Sequence, residues 1–135
     1  MAAFVRLLRD ANGRIEPQIE VAGLGRAAWA MASNADPYTY AGRLPLHVAP
    51  EARFELGLDL LALRTVRVRF LPRLLRYGFL GRGQDRDSDL IYVHDADRIE
   101  LRCDRPLPLQ ADGEDLGDVE SAMFEAMRDA VSVLV

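Results

Sequence analysis

The chain has 135 residues, of which half are apolar and 28% are charged, and its formal net charge is −4. This length and composition fit one globular domain, residues 1–135, that is long enough to bury a core. The negative balance argues against nucleic acid as the main partner. All 17 basic residues are arginine, which excludes a Schiff-base lysine or a P-loop lysine within this chain.

The cysteine content and the hydropathy of the sequence bear on the cellular location of the protein. Cys103 is the single cysteine, so no internal disulfide can form. No apolar run approaches the ~20 residues of a membrane span. The first residues also lack the long apolar segment of a secretory signal. We therefore expect a cytoplasmic protein.

The N-terminal part of the chain predicts two strands joined by a tight turn. We expect a strand over Ala3–Asp10, a reversal at Asn12 and Gly13, and a returning strand over Arg14–Val21. Pro17 would place the returning strand at a sheet edge or at a bulge.

Further strands and a loop are predicted before residue 66. The almost wholly apolar Arg26–Ser33 fits a strand buried on both faces, although a helical fragment has the same composition. A loop with two tyrosines is expected over Asn34–Pro45. Leu58–Thr65 is then predicted to be another strand.

One helix is predicted, over residues 71–80. Apolar residues recur there at helical spacing, namely Leu71, Leu74, Leu75 and Phe79. Pro72 suits the first helical turn, and Gly81 stands where a helix usually ends.

The C-terminal part predicts short strands again. Leu90–Cys103 has the pattern of two strands around the turn Asp95–Asp97, and Pro106–Gly117 that of a strand followed by a tight turn. For Val119–Val135 we favour two strands, although helix-forming residues are present. Together these elements predict a mainly β, antiparallel domain, a sandwich or barrel-like fold with one helix.

Several kinds of catalytic site have no support in the sequence. His47 and His94 are far apart and no pair of ligands has zinc spacing, so each is most simply an ordinary surface or core histidine. No serine lies in a Gly-x-Ser-x-Gly elbow. The Gly23–Gly25 segment imitates the start of a dinucleotide loop but lacks its third glycine.

An arginine-rich segment surrounds the predicted helix. Its members are Arg64, Arg67, Arg69, Arg73, Arg76, Arg82 and Arg86. Such a surface could approach anionic lipid head groups, because each charge adds about 1 kcal/mol of attraction near an anionic bilayer. A solvated helix face compensated by acidic loops would have the same pattern, so both interpretations stay open.

Two candidate catalytic carboxylates, Asp112 and Glu114, lie in the segment Arg105–Gly117. An Asp-Gly pair in a hairpin is first of all a turn, since both residues tolerate positive φ. A carboxylate fixed at a strand end can also act as a general base if it comes within about 2.6–3.2 Å of a hydroxyl group. The residues alone leave both interpretations open.

Three segments resemble, in order, bacterial lipid kinases of the diacylglycerol-kinase and sphingosine-kinase type. They are MASNADPYTYAG (31–42), VAPEARFELGLDLLALR (48–64) and RPLPLQADGEDLG (105–117). The third is similar to the family's P-x-P-x-Q-x-D-G-E-x-x-G strand, and RDAVSVLV (128–135) resembles its final strand. The resemblance spans about residues 3–135 and identifies the chain with the C-terminal β domain of that family.

The resemblance implies ATP-dependent phosphorylation of a lipid hydroxyl. In the family, an α/β domain with a G-G-D-G-T signature binds ATP, and Mg²⁺ assists. Glu114 matches the family's proton acceptor, and Asp112 would support Glu114 or the magnesium network. Asn34, Tyr38 and Tyr40 would line the cleft between the two domains.

Two departures from the family pattern limit this expectation. The chain has no G-G-D-G-T motif, so we expect neither tight ATP binding nor catalysis from this chain alone. The family's magnesium site uses the Asp of a D-G-L step, where this chain has Leu56, whose side chain cannot bind a hard cation. The carbonyls of Arg53 and Leu58 would remain, with Glu55 and Asp59 as the nearest carboxylates.

These departures keep a second hypothesis open, a non-catalytic β domain that binds a lipid, a membrane surface or a partner chain. The expected partners are a lipid substrate or the inner membrane face, where the protein would lie peripherally. A nucleotide-binding kinase domain or a second copy of the chain are further expected partners, and nucleic acid is not.

Overall fold

A computed structural model describes residues 9, 11–111 and 114–128, which form eleven strands and the helix α1, Leu71–Leu80. The strands are β1 (Arg14–Ile15), β2 (Ile19–Val21), β3 (Gly25–Ala27), β4 (Trp29–Ser33), β5 (Thr39–Ala41), β6 (Leu44–Leu46), β7 (Leu58–Leu63), β8 (Val66–Arg67), β9 (Leu90–Ala96), β10 (Arg98–Ala111) and β11 (Glu114–Glu125). Short 3-10 turns occupy Val68–Phe70 and Gln84–Arg86. Within the described ranges, no helix is long and apolar enough to cross a membrane.

Every strand pairing among the described residues is antiparallel. The largest sheet has the order β11-β10-β2-β3, and the second has the order β4-β7-β9. Two small two-stranded sheets, β1-β8 and β5-β6, complete the structure. In the described part of the chain these sheets do not close into a barrel, and the prediction of a mainly β antiparallel domain with one helix is confirmed.

The two larger sheets pack face to face around the first hydrophobic core. The four-stranded sheet contributes Val21, Ala27, Ile99 and Leu101, and the three-stranded sheet contributes Leu60, Ala62 and Ile91. Successive side chains of a strand point to opposite faces of its sheet. The even-numbered residues of β7 therefore face this core, which has the sandwich arrangement expected from the sequence.

The opposite face of β7 is covered by a second core. Leu61 and Leu63 pack there with other buried side chains, namely Ile15, Val66 and Leu90. The inward side of α1 covers this core with Leu71, Leu74 and Tyr77. Because β7 is buried on both faces, its sequence is apolar throughout, apart from Asp59.

Helix α1 has the predicted bounds, and local chemistry explains both ends. Pro72 lies in the first turn, where the missing N–H is not needed. Gly81 adopts a left-handed φ of +64°, and its N–H donates to the Tyr77 carbonyl at 2.8 Å. Glycine takes up this conformation without the steric cost of a side chain.

Two segments that were each predicted as one continuous strand are divided into two strands in the structure, so these two predictions were wrong about continuity. Arg14–Val21 breaks around Pro17, which has no N–H for a ladder, so β1 pairs with β8 while β2 pairs with β10 and β3. Arg26–Ser33 bends at Ala28 and passes from the four-stranded to the three-stranded sheet.

Other expectations had mixed outcomes. The reversal at Asn12 and Gly13 is confirmed, since both have positive φ. The loop predicted over Asn34–Pro45 instead contains most of the β5–β6 hairpin. Arg9 is helical, which contradicts the strand predicted over Ala3–Asp10 at that residue. The other residues of that prediction lie outside the described ranges, as does the strand predicted at the end of the chain.

Candidate functional site

The segment with the predicted catalytic carboxylates forms the end of the β10–β11 hairpin. Strand β10 ends at Ala111, β11 begins at Glu114, and these two residues are paired. Asp112 lies outside the described residues. Glu114 is exposed, and no described residue forms an ion pair or side-chain hydrogen bond with its carboxylate. This carboxylate is therefore free to meet a group from outside the described chain.

A bulge shapes this end of the hairpin. Pro108 pairs with Asp118 and Gln110 with Asp115, so one residue of β10 lies opposite the two residues Leu116 and Gly117. Gly117 has a φ of +84°, and its N–H donates to Asp115 Oδ1 at 2.8 Å. Bulges of this kind bend a strand and increase its twist. The bulge lies close to Glu114 in β11, and the bulged residue Leu116 is exposed.

The residues expected to line a cleft lie in another part of the molecule. Asn34 follows β4, Tyr38 precedes β5, and Tyr40 lies in β5. All three residues are exposed. Among the residues that the structure describes, no hydrogen bond or ion pair joins any of them to Glu114. Their grouping in one site stays a prediction.

The loop expected to hold magnesium is occupied by its own hydrogen bonds. The Arg53 carbonyl accepts the Leu56 N–H at 3.1 Å, and Leu58 begins β7 opposite Ala96. The side chain of Leu56 offers no ligand atom, and Glu55 is exposed. Across residues 11–111 and 114–128, no group of three or more His, Cys, Asp or Glu side chains could hold a metal ion.

A guanidinium group supplies positive charge close to this loop. Asp95 Oδ1 accepts the Gly57 N–H at 2.6 Å and Arg128 Nη2 at 2.7 Å. These two contacts, the Gly57 hydrogen bond first, lower the pKa of Asp95. A Cβ at Gly57 would lie 2.4 Å from the Ala96 carbonyl oxygen, so the loop needs glycine to approach β9 this closely.

A second acidic site is centred on Asp59, which the sequence offered only as a carboxylate near the expected magnesium position, without its contacts to Tyr92 and His94. This carboxylate is fully buried. Tyr92 Oη donates to it at 3.1 Å, the Asp95 N–H donates at 3.0 Å, and His94 Nδ1 lies at 2.9 and 3.0 Å from its two oxygens. Because a carboxylate only accepts, His94 Nδ1 carries the proton in this contact.

Strand register explains how these groups meet. Leu58 pairs with Ala96 and Leu60 with Val93, so Asp59 lies opposite two residues of β9, His94 and Asp95. The extra residue forms a bulge, and Asp95 adopts a φ of +56° there. The Asp59 carboxylate binds the backbone N–H that this irregularity leaves without a ladder partner.

His94 connects the buried site to the surface. Its side chain is 34% exposed, and Nε2 lies 3.7 Å from Glu51 Oε2. The hydrogen bond to Asp59 is the main cause that raises the pKa of His94, with the charges of Asp59, Glu51 and Asp95 acting in the same direction and burial opposing them. Burial raises the pKa of Tyr92, so its hydroxyl keeps the proton that it donates.

The two acidic sites therefore offer different chemistry. Every oxygen of Asp59 is engaged by groups of the same chain, which makes it a structural carboxylate. Glu114 has an exposed carboxylate with no described partner, so a hydroxyl group of another molecule can approach it. In comparisons with known proteins, no family model and no curated protein matches this chain.

Proposed function

We propose that this chain is the β domain of a lipid kinase of the diacylglycerol-kinase type. In this proposal it works with a nucleotide-binding domain, and Glu114 is the proton acceptor. The observation that carries the proposal is the Glu114 carboxylate, exposed and without a described partner at the end of a paired hairpin. The resemblance of the segments around it to that family supplies the reaction.

The proposed chemistry needs one base and one donor of phosphate. Glu114 takes the proton of a lipid hydroxyl while the oxygen of that hydroxyl attacks the γ-phosphorus of ATP. The new O–P bond forms while the bond from the γ-phosphorus to the bridging oxygen breaks, and ADP leaves. Such transfers depend mainly on positioning and on charge neutralisation. The bulge at Gly117 bears on the positioning, because it bends the strand that carries Glu114.

The other site residues have secondary places in this proposal. Asp112 would support Glu114, and Asn34, Tyr38 and Tyr40 would line the interdomain cleft. No step uses a magnesium ion held by this chain, since the side chain of Leu56 offers no ligand to a hard cation. We further propose that the reaction takes place at the cytoplasmic face of the membrane, where a long-chain hydroxyl substrate would lie.

The test measures transfer of labelled γ-phosphate from ATP to diacylglycerol in mixed micelles. The assay uses the chain together with a nucleotide-binding domain. That domain is either encoded in the same reading frame or added as a separate polypeptide. Glu114→Gln should lower the rate by about 10²–10⁴-fold, the usual contribution of a general base.

The matched control is Glu120→Gln, which neutralises another exposed carboxylate on β11. It should keep near-normal turnover. Near-normal turnover in Glu114→Gln would overturn the assignment, as would an equal loss in both variants.

A further inference from the structure

Positive charge is concentrated in one part of this acidic chain. Six of the 17 arginines lie between Leu60 and Gln84, a segment with no Asp or Glu. The other 11 share the rest of the chain with all 21 acidic residues. The segment between Leu60 and Gln84 thus carries a net positive charge within a negatively charged protein.

The outward side of α1, in the middle of this region, is apolar. Leu71, Leu74 and Tyr77 point toward the second core. Leu75 and Phe79, four residues apart, lie on one side of the helix, away from that core, and are 48% and 43% exposed. Val68, which precedes the helix, and Leu80, its last residue, are also exposed. We call the two exposed residues Leu75 and Phe79 the α1 apolar face.

Arginines that the described residues do not neutralise flank the α1 apolar face. Arg69, Arg76 and Arg82 are exposed, and none of them forms an ion pair with a described acidic residue. Arg73 is the exception in the helix, because Asp87 and Asp89 hold it.

Ring contacts keep two of these arginines beside the helix. The Arg69 guanidinium lies 5.1 Å from the centre of the Phe70 ring, and that of Arg76 lies 5.7 Å from the Tyr77 ring. Cation–π attraction of this kind leaves the positive charge in place. Two exposed apolar side chains are thus accompanied by positive charges on and next to the same helix.

We propose that the α1 apolar face and its flanking arginines dock on the surface of an anionic lipid bilayer. Apolar side chains between cationic ones are the composition of helices that lie in the membrane interface. The arginines would bind lipid phosphate and carboxylate groups while Leu75 and Phe79 enter the acyl boundary. A nucleic acid would satisfy the charges but not the exposed Leu and Phe side chains. The proposal does not depend on the role of Glu114.

The test is co-sedimentation of the full chain with vesicles of phosphatidylcholine, with or without phosphatidylserine. The chain should bind the phosphatidylserine vesicles, and added salt should release it. The double variant Arg69→Gln/Arg76→Gln should bind more than tenfold more weakly, since each charge near an anionic surface contributes about fivefold. Leu75→Gln/Phe79→Gln should also weaken binding.

The matched control removes the same charge from the other side of the domain. Arg98→Gln/Arg102→Gln changes two exposed arginines of β10 and should leave binding nearly unchanged. Circular dichroism confirms that each variant is folded. Glu114→Gln should bind like the unchanged chain, which separates this proposal from the proposed enzyme function.

Three results would overturn the proposal. The first is no binding to phosphatidylserine vesicles, and the second is an equal loss of binding in the control variant. The third is a dimer in solution that Leu75→Gln/Phe79→Gln disrupts, because the apolar face would then be covered by a second copy of the chain.

Discussion

The Asp59 site and the end of the β10–β11 hairpin show two opposite uses of a carboxylate. Asp59 is fully buried and is bound by Tyr92, His94 and a backbone N–H. Glu114 is exposed and has no described partner. The Asp59 carboxylate therefore stabilises the fold, whereas the Glu114 carboxylate is available to an external molecule.

The physical basis of this contrast is the cost of desolvation. A carboxylate removed from water is stable only when hydrogen bonds replace those of the solvent. An exposed carboxylate keeps its water and needs no partner. Substitutions at the two sites should therefore differ in kind, with Asp59 affecting the free energy of unfolding and Glu114 affecting activity.

The largest effect on stability is expected at the buried site. Asp59→Ala should lower the free energy of unfolding by about 3 kcal/mol, because it leaves Tyr92 and the Asp95 N–H without an acceptor. Urea denaturation measures the loss, with Glu120→Ala as an exposed control. A loss as small as that of the control would break the comparison.

A smaller loss is expected when one donor to Asp59 is removed. Tyr92→Phe keeps the ring and removes the hydroxyl that lies 3.1 Å from Asp59 Oδ2. The expected cost is about 1 kcal/mol, the usual net value of one hydrogen bond. Tyr38→Phe, at an exposed position, is the control and should be neutral in the same urea experiment. Equal results for the two variants would contradict the role given to Tyr92.

The pH dependence of stability tests the contact between His94 and Asp59. Since the folded state raises the pKa of His94, its contribution is fully present below about pH 6.5 and is lost as the pH rises through the folded pKa. The expected loss is under about 1 kcal/mol, because the side chain is one-third exposed.

The measurement is the difference in unfolding free energy between the unchanged chain and His94→Gln, from pH 6 to pH 9. Subtraction removes the contribution of groups that titrate alike in both. A difference that grows with pH would have the wrong sign and would reject this account of His94.

The smallest effect on stability is expected at the hairpin. Glu114→Gln should change the free energy of unfolding by less than about 0.5 kcal/mol, as is usual for exposed positions without partners. Thermal denaturation followed by circular dichroism would detect a larger change. A loss comparable to that of Asp59→Ala would show that Glu114 also serves the fold, and the contrast between the two sites would be lost.

Features set by local chemistry could be predicted from the sequence. Helix α1 was located from its apolar spacing with Pro72 and Gly81, because these residues act within one or two turns of the helix. The hairpin between β10 and β11 was located from alternation and the Asp-Gly pair.

Features set by tertiary contacts could not be predicted in this way. The division of Arg26–Ser33 leaves no turn signal at Ala28, since its neighbours Ala27 and Trp29 are both apolar although they join different sheets. The Asp59 site depends on the register between β7 and β9, whose contacting residues are about 35 positions apart. A single charged residue in an apolar strand, Asp59, was the one available indication.

The bend at Ala28 has a consequence for how the domain comes apart. The Gln18 N–H donates to the Ala27 carbonyl in one sheet, while the Ala28 N–H donates to the Leu63 carbonyl in the other. Two adjacent residues are thus bonded to different layers, and consecutive Cα atoms can separate by only about 3.8 Å. Detachment of either layer therefore pulls on a backbone hydrogen bond of the other, and it also exposes the core that the two layers share. We expect the two layers to unfold together, in one cooperative transition.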